Sequence, residues 1–232
     1  MGVLWKHAVD MLTYGVFRLC SGHLSRNVIE KQEEENEKAW EKRGEKGFFE
    51  TQYNLTDLKY GTAGKLARKL FFNGREMTAA ENACEVIAAY NVLLALGEKT
   101  GLPKLLAVFS GRGICLNGCF GTSPKALERF FVRKGYEVEC LKGRQVMKER
   151  LRKLEEDHEA WILTAFNHHQ DPFHMVHTMG ITNGPEGEKL VHNDNGRCRK
   201  AKDLAEAVLD YQKGEGHAIC VLGIRRGQMK EM

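Results

Sequence analysis

The residues of this chain best suited to covalent chemistry are a cysteine, a histidine and an adjacent amide–carboxylate pair. Cys84 follows Asn82, a residue type that favours a helix start, and precedes a long apolar run. Much further along the chain come His177 and the pair Asn193-Asp194. A helix N-terminus favours a thiolate, an imidazole accepts the thiol proton, and an amide or carboxylate orients the imidazole. These residue types, in this order, predict acyl transfer by a nucleophilic thiol.

A predicted β-hairpin brings the imidazole to its orienting group. Strands are predicted over 174–182 and 189–192, joined by a turn that contains two glycines and a proline. A turn centred on Pro185 places His177 opposite Asn193, with both side chains on one face of the hairpin. The hairpin therefore predicts a base and its orienter.

Two alternatives remain open within this hairpin. A shift of the turn by half a residue gives the orienting role to Asp194 instead of Asn193. His174 is the alternative base, on the opposite face of the same strand from His177. The competing interpretation is that these are ordinary polar residues of an exposed hairpin.

The helix that begins near Cys84 has two possible N-caps. Thr78 starts one capping-box pattern and Asn82 starts another, and the second pattern places Cys84 in the first helical turn. Asn82 and Asn167 are candidate oxyanion donors, together with the backbone N–H of Cys84. In the competing interpretation Cys84 is a small core residue, Asn82 is a helix cap and Asn167 belongs to a loop.

Histidines and cysteines also raise the question of a metal site. The candidates are His168, His169, His174, His177 and His192. Adjacent histidines on a strand face opposite ways, no HExxH pattern is present, and Cys115 and Cys119 lack a second pair at zinc spacing. We therefore predict neither a metal nor another cofactor.

The order of the predicted elements indicates an α+β fold. Helices are predicted over 26–46, 66–72, 82–96, 103–109, 123–135, 144–157 and 201–212, and strands over 136–141, 161–166, 174–182, 189–192 and 218–224. Because helices dominate the first half and strands the second, we expect N-terminal helices packed on a C-terminal antiparallel sheet.

The first part of the chain is expected to be a separate helical extension over residues 1–75, followed by one domain over 76–232. Residues 3–24 are amphipathic, which predicts a helix packed on its own domain or, alternatively, docked on a partner or a membrane surface.

Bulk composition excludes several classes of protein. The 232 residues carry a net charge of +4 with basic and acidic residues interleaved, so we expect no nucleic-acid partner. Seven scattered cysteines do not form a disulfide framework and indicate a cytoplasmic protein. No apolar run is long enough for a transmembrane helix. The expected partner is a peptide or protein substrate.

Several short motifs resemble those of the papain-like cysteine peptidases, in the bacterial branch related to the double-glycine leader peptidases. The resemblance covers about residues 76 to 224 and rests on Asn82-Ala-Cys-Glu-Val-Ile-Ala-Ala-Tyr-Asn91, Gly121-Thr-Ser-Pro-Lys-Ala-Leu127, His177-Thr178 and His192-Asn-Asp194. It implies Cys84 as nucleophile, His177 as general base, Asn193 or Asp194 as its orienter, and peptide-bond hydrolysis through a thioester.

Two residues depart from that family's pattern. Glu85 follows the cysteine where the family commonly has glycine, and Thr78 lies where an upstream glutamine commonly donates to the oxyanion. A neighbouring carboxylate raises the pKa of a thiol. The alternative function is therefore a catalytically inactive binding or interaction protein on the same fold.

Overall fold

The computed structural model describes residues 15, 17, 19–44, 47–62, 64–72, 74–75, 77–166, 176–213 and 217–227. The strands are β1 (Ser21–Gly22), β2 (Ile114–Cys115), β3 (Tyr136–Lys142), β4 (Ala160–Phe166), β5 (Val176–Asn183), β6 (Lys189–Asp194), β7 (Arg197–Ala201) and β8 (His217–Arg226). The helices are α1 (Arg26–Arg43), α2 (Lys65–Phe72), α3 (Ala79–Asn82), α4 (Cys84–Ala95), α5 (Leu102–Gly111), α6 (Pro124–Arg133), α7 (Lys148–Asp157) and α8 (Leu204–Lys213).

Six of these strands form one antiparallel sheet in the order β3-β8-β4-β5-β6-β7, and β1 and β2 form a small second sheet. Helix α4 packs on β5, β4 and β6, while α7 and α8 pack on the other side against β8 and its neighbours. The predicted α+β class is confirmed. Helices cover both sides of the sheet, because the two later helices pack on the side opposite α4.

Side chains alternate between the two faces of the sheet along each strand, and each face has its own apolar core. In β4, Ile162 belongs to the core shared with α4, whereas Trp161 and Leu163 belong to the core shared with α7 and α8. All seven residues of β4 are buried. A strand covered on both faces is mostly apolar, which explains why the sequence of β4 shows no regular polar alternation. Its one polar side chain, Thr164, is hydrogen-bonded to the hydroxyl of Thr178.

Helix α4 runs through the centre of the first core. Ten consecutive residues from Cys84 to Leu93 are buried. The helix lies close to β5 because Gly180 has no side chain: a Cβ atom there would lie 3.1 Å from the carbonyl oxygen of Ala88. This close approach fixes which face of β5 looks towards Cys84.

The segment before residue 75 contributes to the same core. Leu55, Leu58 and Tyr60 are fully buried and cluster with residues of α4. Two hydrogen bonds join the backbone of Phe49 to the side chain of Asn91 on α4, both at 2.9 Å. The described residues from 47 to 62 therefore pack as part of the main core, which continues across the predicted boundary at 75.

The β5–β6 hairpin forms as predicted but with a different register. Gly180 pairs with His192 and Asn183 with Lys189, so the loop is centred on Glu186 rather than on Pro185. The reason is a five-residue loop, closed by the N–H of residue 184, which donates to the carbonyl of residue 188 at 2.7 Å. The predicted pairing of His177 with Asn193 is therefore wrong.

Candidate functional site

Cys84 is the first residue of α4, as the second capping pattern predicts. Its side chain is enclosed, with 6% of the residue exposed. Burial raises the pKa of the Cys84 thiol well above its ordinary value, and the Glu85 carboxyl adds to the rise. A hydrogen bond from the backbone of Thr178 opposes this effect without cancelling it. The thiol lies at the predicted place, but its surroundings favour the protonated form.

Glu85 lies in a buried polar cluster beneath this helix start. Burial raises the pKa of its carboxyl to about 7, while hydrogen bonds from the Cys84 thiol and the backbone of Thr122 act in the opposite direction. The Thr122 hydroxyl is hydrogen-bonded to the hydroxyl of Tyr60, which is also buried. Oxygen Oε2 of Glu85 has no hydrogen-bond partner among the described residues. A buried carboxyl of this kind is ionised only in part at neutral pH.

His177 lies on the other face of the sheet from Cys84. Gly180 faces α4, and side chains alternate along a strand, so Thr178 shares that face and His177 points away from it. Its cross-strand partner is Ala165, a residue of the core formed with α7 and α8. The structure therefore does not bring His177 to Cys84, because the sheet separates the two side chains.

The His177 ring interacts with the sheet rather than with a nucleophile. Its Nε2 donates to the carbonyl oxygen of Asn193 at 2.5 Å. Burial lowers the pKa of His177, and the Asn193 carbonyl and the Asp194 carboxylate act in the opposite direction. The expected contact with residue 193 exists, but it is to the backbone instead of the side chain.

The side chains of the predicted orienters are bound elsewhere. Asn193 exchanges two hydrogen bonds with Gln52: its Oδ1 accepts from the backbone N–H at 3.0 Å and its Nδ2 donates to Oε1 at 2.9 Å. Asp194 accepts from Nε of Arg199 at 2.5 Å and from Nδ2 of Asn195 at 3.2 Å. Neither side chain orients His177.

Asn82 has a structural role in place of the predicted oxyanion role. Its Nδ2 donates to the carbonyl oxygens of Tyr60 at 3.0 Å and Gly118 at 2.7 Å, so both of its N–H groups are engaged. It ends α3 and does not cap α4, whose N-cap residue is Ala83. An amide with no free donor cannot stabilise an oxyanion.

Gln52 is the residue that sequence reasoning missed. Besides its two bonds with Asn193, it donates from Nε2 to the carbonyl oxygen of Ala80 at 2.9 Å. It thereby ties the end of β6 to α3, just before Cys84. No local pattern marks this glutamine, because its main partner lies 141 residues away in the chain.

A thiol–imidazole contact, separate from Cys84, lies at the edge of β6. His192 Nδ1 is 3.9 Å from the sulfur of Cys198, its Nε2 is 2.8 Å from the Thr182 hydroxyl, and Phe48 stacks on its ring. Burial lowers the pKa of His192 to about 4, so this ring is neutral at pH 7. Among the described residues no group of three or more histidine, cysteine or acidic side chains is placed to hold a metal. Asn167, His168, His169 and His174 lie outside the described residues.

A basic cleft opens on the helical side of the molecule, with a volume of about 930 Å³. It lies between Phe17, residues 21–23, the end of α5, α6 and the end of β3. The basic residues that line it are His23, Arg112, Lys125, Arg129, Arg133, Lys134 and Lys142. None of its described lining residues is acidic, and none belongs to the cluster around Cys84.

The comparisons with known proteins add no relative. No protein-family model matches the chain, no curated protein matches its sequence, and no solved structure matches its fold. Within the described part of the chain no helix has the length and apolar character needed to cross a membrane. The resemblance to papain-like peptidases thus stays a prediction from the motifs.

Proposed function

We propose that this protein is a non-catalytic binding protein on a papain-like layout, in which Cys84 is a core residue. The observation that carries the proposal is the separation of Cys84 from His177 by the sheet. A thiol needs a neighbouring base or a lowered pKa to act as a nucleophile at neutral pH. Cys84 has a raised pKa and, within the described chain, no imidazole beside it.

The basic cleft is the surface that we assign to binding. Its volume falls in the range of small-molecule and peptide sites, and it combines an apolar floor with several cationic groups. The bound partner is a peptide or protein that is held without being cleaved.

A second candidate function is thiol-dependent acyl transfer with a different base. The face of β5 that meets α4 carries the even-numbered residues Thr178 and Gly180. His174, the alternative base that the sequence predicts on the opposite face of the strand from His177, lies outside the described residues. Because His177 points away from Cys84, His174 is the base that this second candidate requires.

Alkylation of the thiols by iodoacetamide distinguishes the two functions. The rate at Cys84 is measured by peptide mass spectrometry from about pH 5 to pH 9, in the wild type and in the variants His177→Ala and His174→Ala. Cys20, a partly exposed thiol, serves as the internal reference in every digest. We expect Cys84 to react more slowly than Cys20 at every pH and to be unaffected by either substitution.

Two other outcomes overturn the proposed binding function. Fast labelling of Cys84 below pH 8 that is lost in His174→Ala establishes the second candidate. Fast labelling that is lost in His177→Ala shows that the two side chains meet in solution, and it restores the catalytic pair predicted from the sequence.

A further inference from the structure

The cations of the basic cleft are arranged in a row along one helix. Lys125, Arg129 and Arg133 follow one another at intervals of four residues on α6. Four residues advance a helix by about 6 Å, so the three charges form a nearly straight line of about 12 Å. Arg112 and Lys134 lie beside this row in the same cleft.

Several of these charges have no counter-ion in the described chain. Lys125 pairs with Glu128 at 2.5 Å, and Lys134 is paired with Glu98. Arg112, Arg129 and Arg133 are exposed and form no ion pair with any described residue. Three unpaired guanidinium groups in one concave surface repel one another, and an anionic occupant removes that repulsion.

Three aromatic side chains line the apolar floor of the cleft, and none offers a free ring face for stacking. Phe17 and Phe109 are 5% and 1% exposed. Phe130 is partly exposed, but its ring packs on Phe109 and lies under the Lys134 ammonium, with Nζ 5.8 Å from the ring centre. Bases of single-stranded nucleic acid bind on free aromatic faces, so this floor does not favour them. A flat bilayer surface does not enter a concave cleft. A chain that alternates anionic and small apolar groups fits both the row of cations and the floor.

We propose that the cleft binds an extended acidic segment of a partner protein, with carboxylates at every second residue. This inference rests on the proposed binding function and names the chemistry of the partner. In an extended segment the side chains of alternate residues lie about 6.7 Å apart on one side, close to the spacing of the cations on α6. The residues in between point to the opposite side, so their apolar groups lie along the rim and floor of the cleft.

The test is a fluorescence-polarisation titration of the full chain with a fluorescein-labelled heptapeptide, Glu-Val-Glu-Val-Glu-Val-Glu. A peptide of the same composition with its four glutamates in one block tests the spacing. The double variant Arg129→Glu/Arg133→Glu removes the cationic row. The matched control is Arg152→Glu/Lys153→Glu, which makes the same charge change at exposed positions of α7 on the other side of the sheet.

We expect the alternating peptide to bind at least tenfold more tightly than the block peptide, and to lose at least tenfold in affinity in the cleft variant alone. Circular dichroism confirms that both variants are folded. Equal loss in both double variants, or equal binding of the two peptides, overturns the inference. Tighter binding of a labelled oligothymidylate, or of phosphatidylserine vesicles, overturns it in favour of another partner.

The two proposals fail separately. A reactive Cys84 together with cleft-dependent peptide binding overturns the proposed function and leaves the acidic segment in place, as substrate or regulator. An unreactive Cys84 together with no peptide binding leaves a binding protein whose partner has other chemistry.

Discussion

At the scale of single residues, Glu85 is the least ordinary feature of this chain. A carboxyl group with 2% of its residue exposed, and with one oxygen unpartnered, occupies the position next to the central thiol. Burial raises its pKa to about 7, above the value of 4.5 for an exposed glutamate. The folded protein therefore binds this proton more tightly than the unfolded chain does.

The first prediction concerns stability as a function of pH. Between about pH 4.5 and pH 7 the folded state holds the Glu85 proton and the unfolded state does not, so the free energy of unfolding falls as pH rises. The size of this fall is on the order of 3 kcal/mol, from 1.36 kcal/mol per pKa unit. Glu85→Gln, which is neutral at every pH, lacks this loss. Urea unfolding at pH 5 and pH 8 measures the difference between the two proteins.

Glu149→Gln is the control, because Glu149 is an exposed carboxylate on α7. Its free energy of unfolding should fall between pH 5 and pH 8 by the same amount as that of the wild type. If the free energy of unfolding of Glu85→Gln also falls by that amount, the Glu85 carboxyl is not buried as described.

The residues of the site were predictable from the sequence only in part. Cys84 was placed correctly at a helix start, because the apolar run after it is a local signal, but the predicted cap Asn82 instead ends the preceding helix. The sequence places His177 on the same side of the sheet as Cys84, and this is wrong. The side on which a strand residue lies depends on the strand's register and on which of its faces packs against the helix. Nothing local records that Gly180, rather than its neighbours, touches α4.

At the scale of elements, the contact between α4 and β5 sets the geometry of the centre. The helix approaches the strand at a glycine, and the ideal Cβ position there is also 3.4 Å from the Cα atom of Ala88 and from the Cβ atom of Asn91. Two of the three nearest atoms belong to the backbone of a buried helix, which has little room to move.

Gly180→Ala should destabilise the protein by about 1 to 3 kcal/mol, because the added methyl group pushes α4 away from the sheet. Thermal or urea unfolding measures this. Gly64→Ala is the control: a Cβ atom there meets nothing within 4 Å, so a change of less than about 0.5 kcal/mol is expected. A similar small change at position 180 would contradict the close packing.

Most elements were predicted where a local signal exists. Ser123-Pro124 marks the start of α6, and the buried run of β4 was assigned as a strand, both as observed. Strand β7 was missed, because Arg197–Ala201 shows no apolar alternation and is a strand through its pairing with β6. The first turn of the predicted helix 144–157 is instead a 3₁₀ turn, and α7 begins at Lys148. Tertiary pairing overrides local propensity in such segments.

At the scale of the whole molecule, the predicted domain boundary at residue 75 raises the question of whether the two parts of the chain unfold together. Leu55 is fully buried in the core around α4, and Trp161 is buried in the core on the other side of the sheet. If these parts form one folding unit, a change in one alters the unfolding of the other.

Leu55→Ala should lower the urea midpoint reported by Trp161, by an amount equivalent to about 2 to 5 kcal/mol. The measurement uses Trp161 fluorescence in a background of Trp5→Phe and Trp40→Phe. Leu66→Ala on α2, where the leucine is 71% exposed, is the control and should leave the midpoint unchanged. An unchanged midpoint for Leu55→Ala would show that residues 1–75 unfold as a separate unit.

The hydrogen bonds between Gln52 and Asn193 also constrain how the chain folds during synthesis. Their 141-residue separation means that these two bonds can form only after the ribosome has released residue 193. Until then, Leu55, Leu58 and the apolar helix α4 have no sheet to cover them. We therefore expect the nascent chain to expose apolar surface of α4 until the strands of the sheet are synthesised, the situation in which a chain is most prone to aggregate.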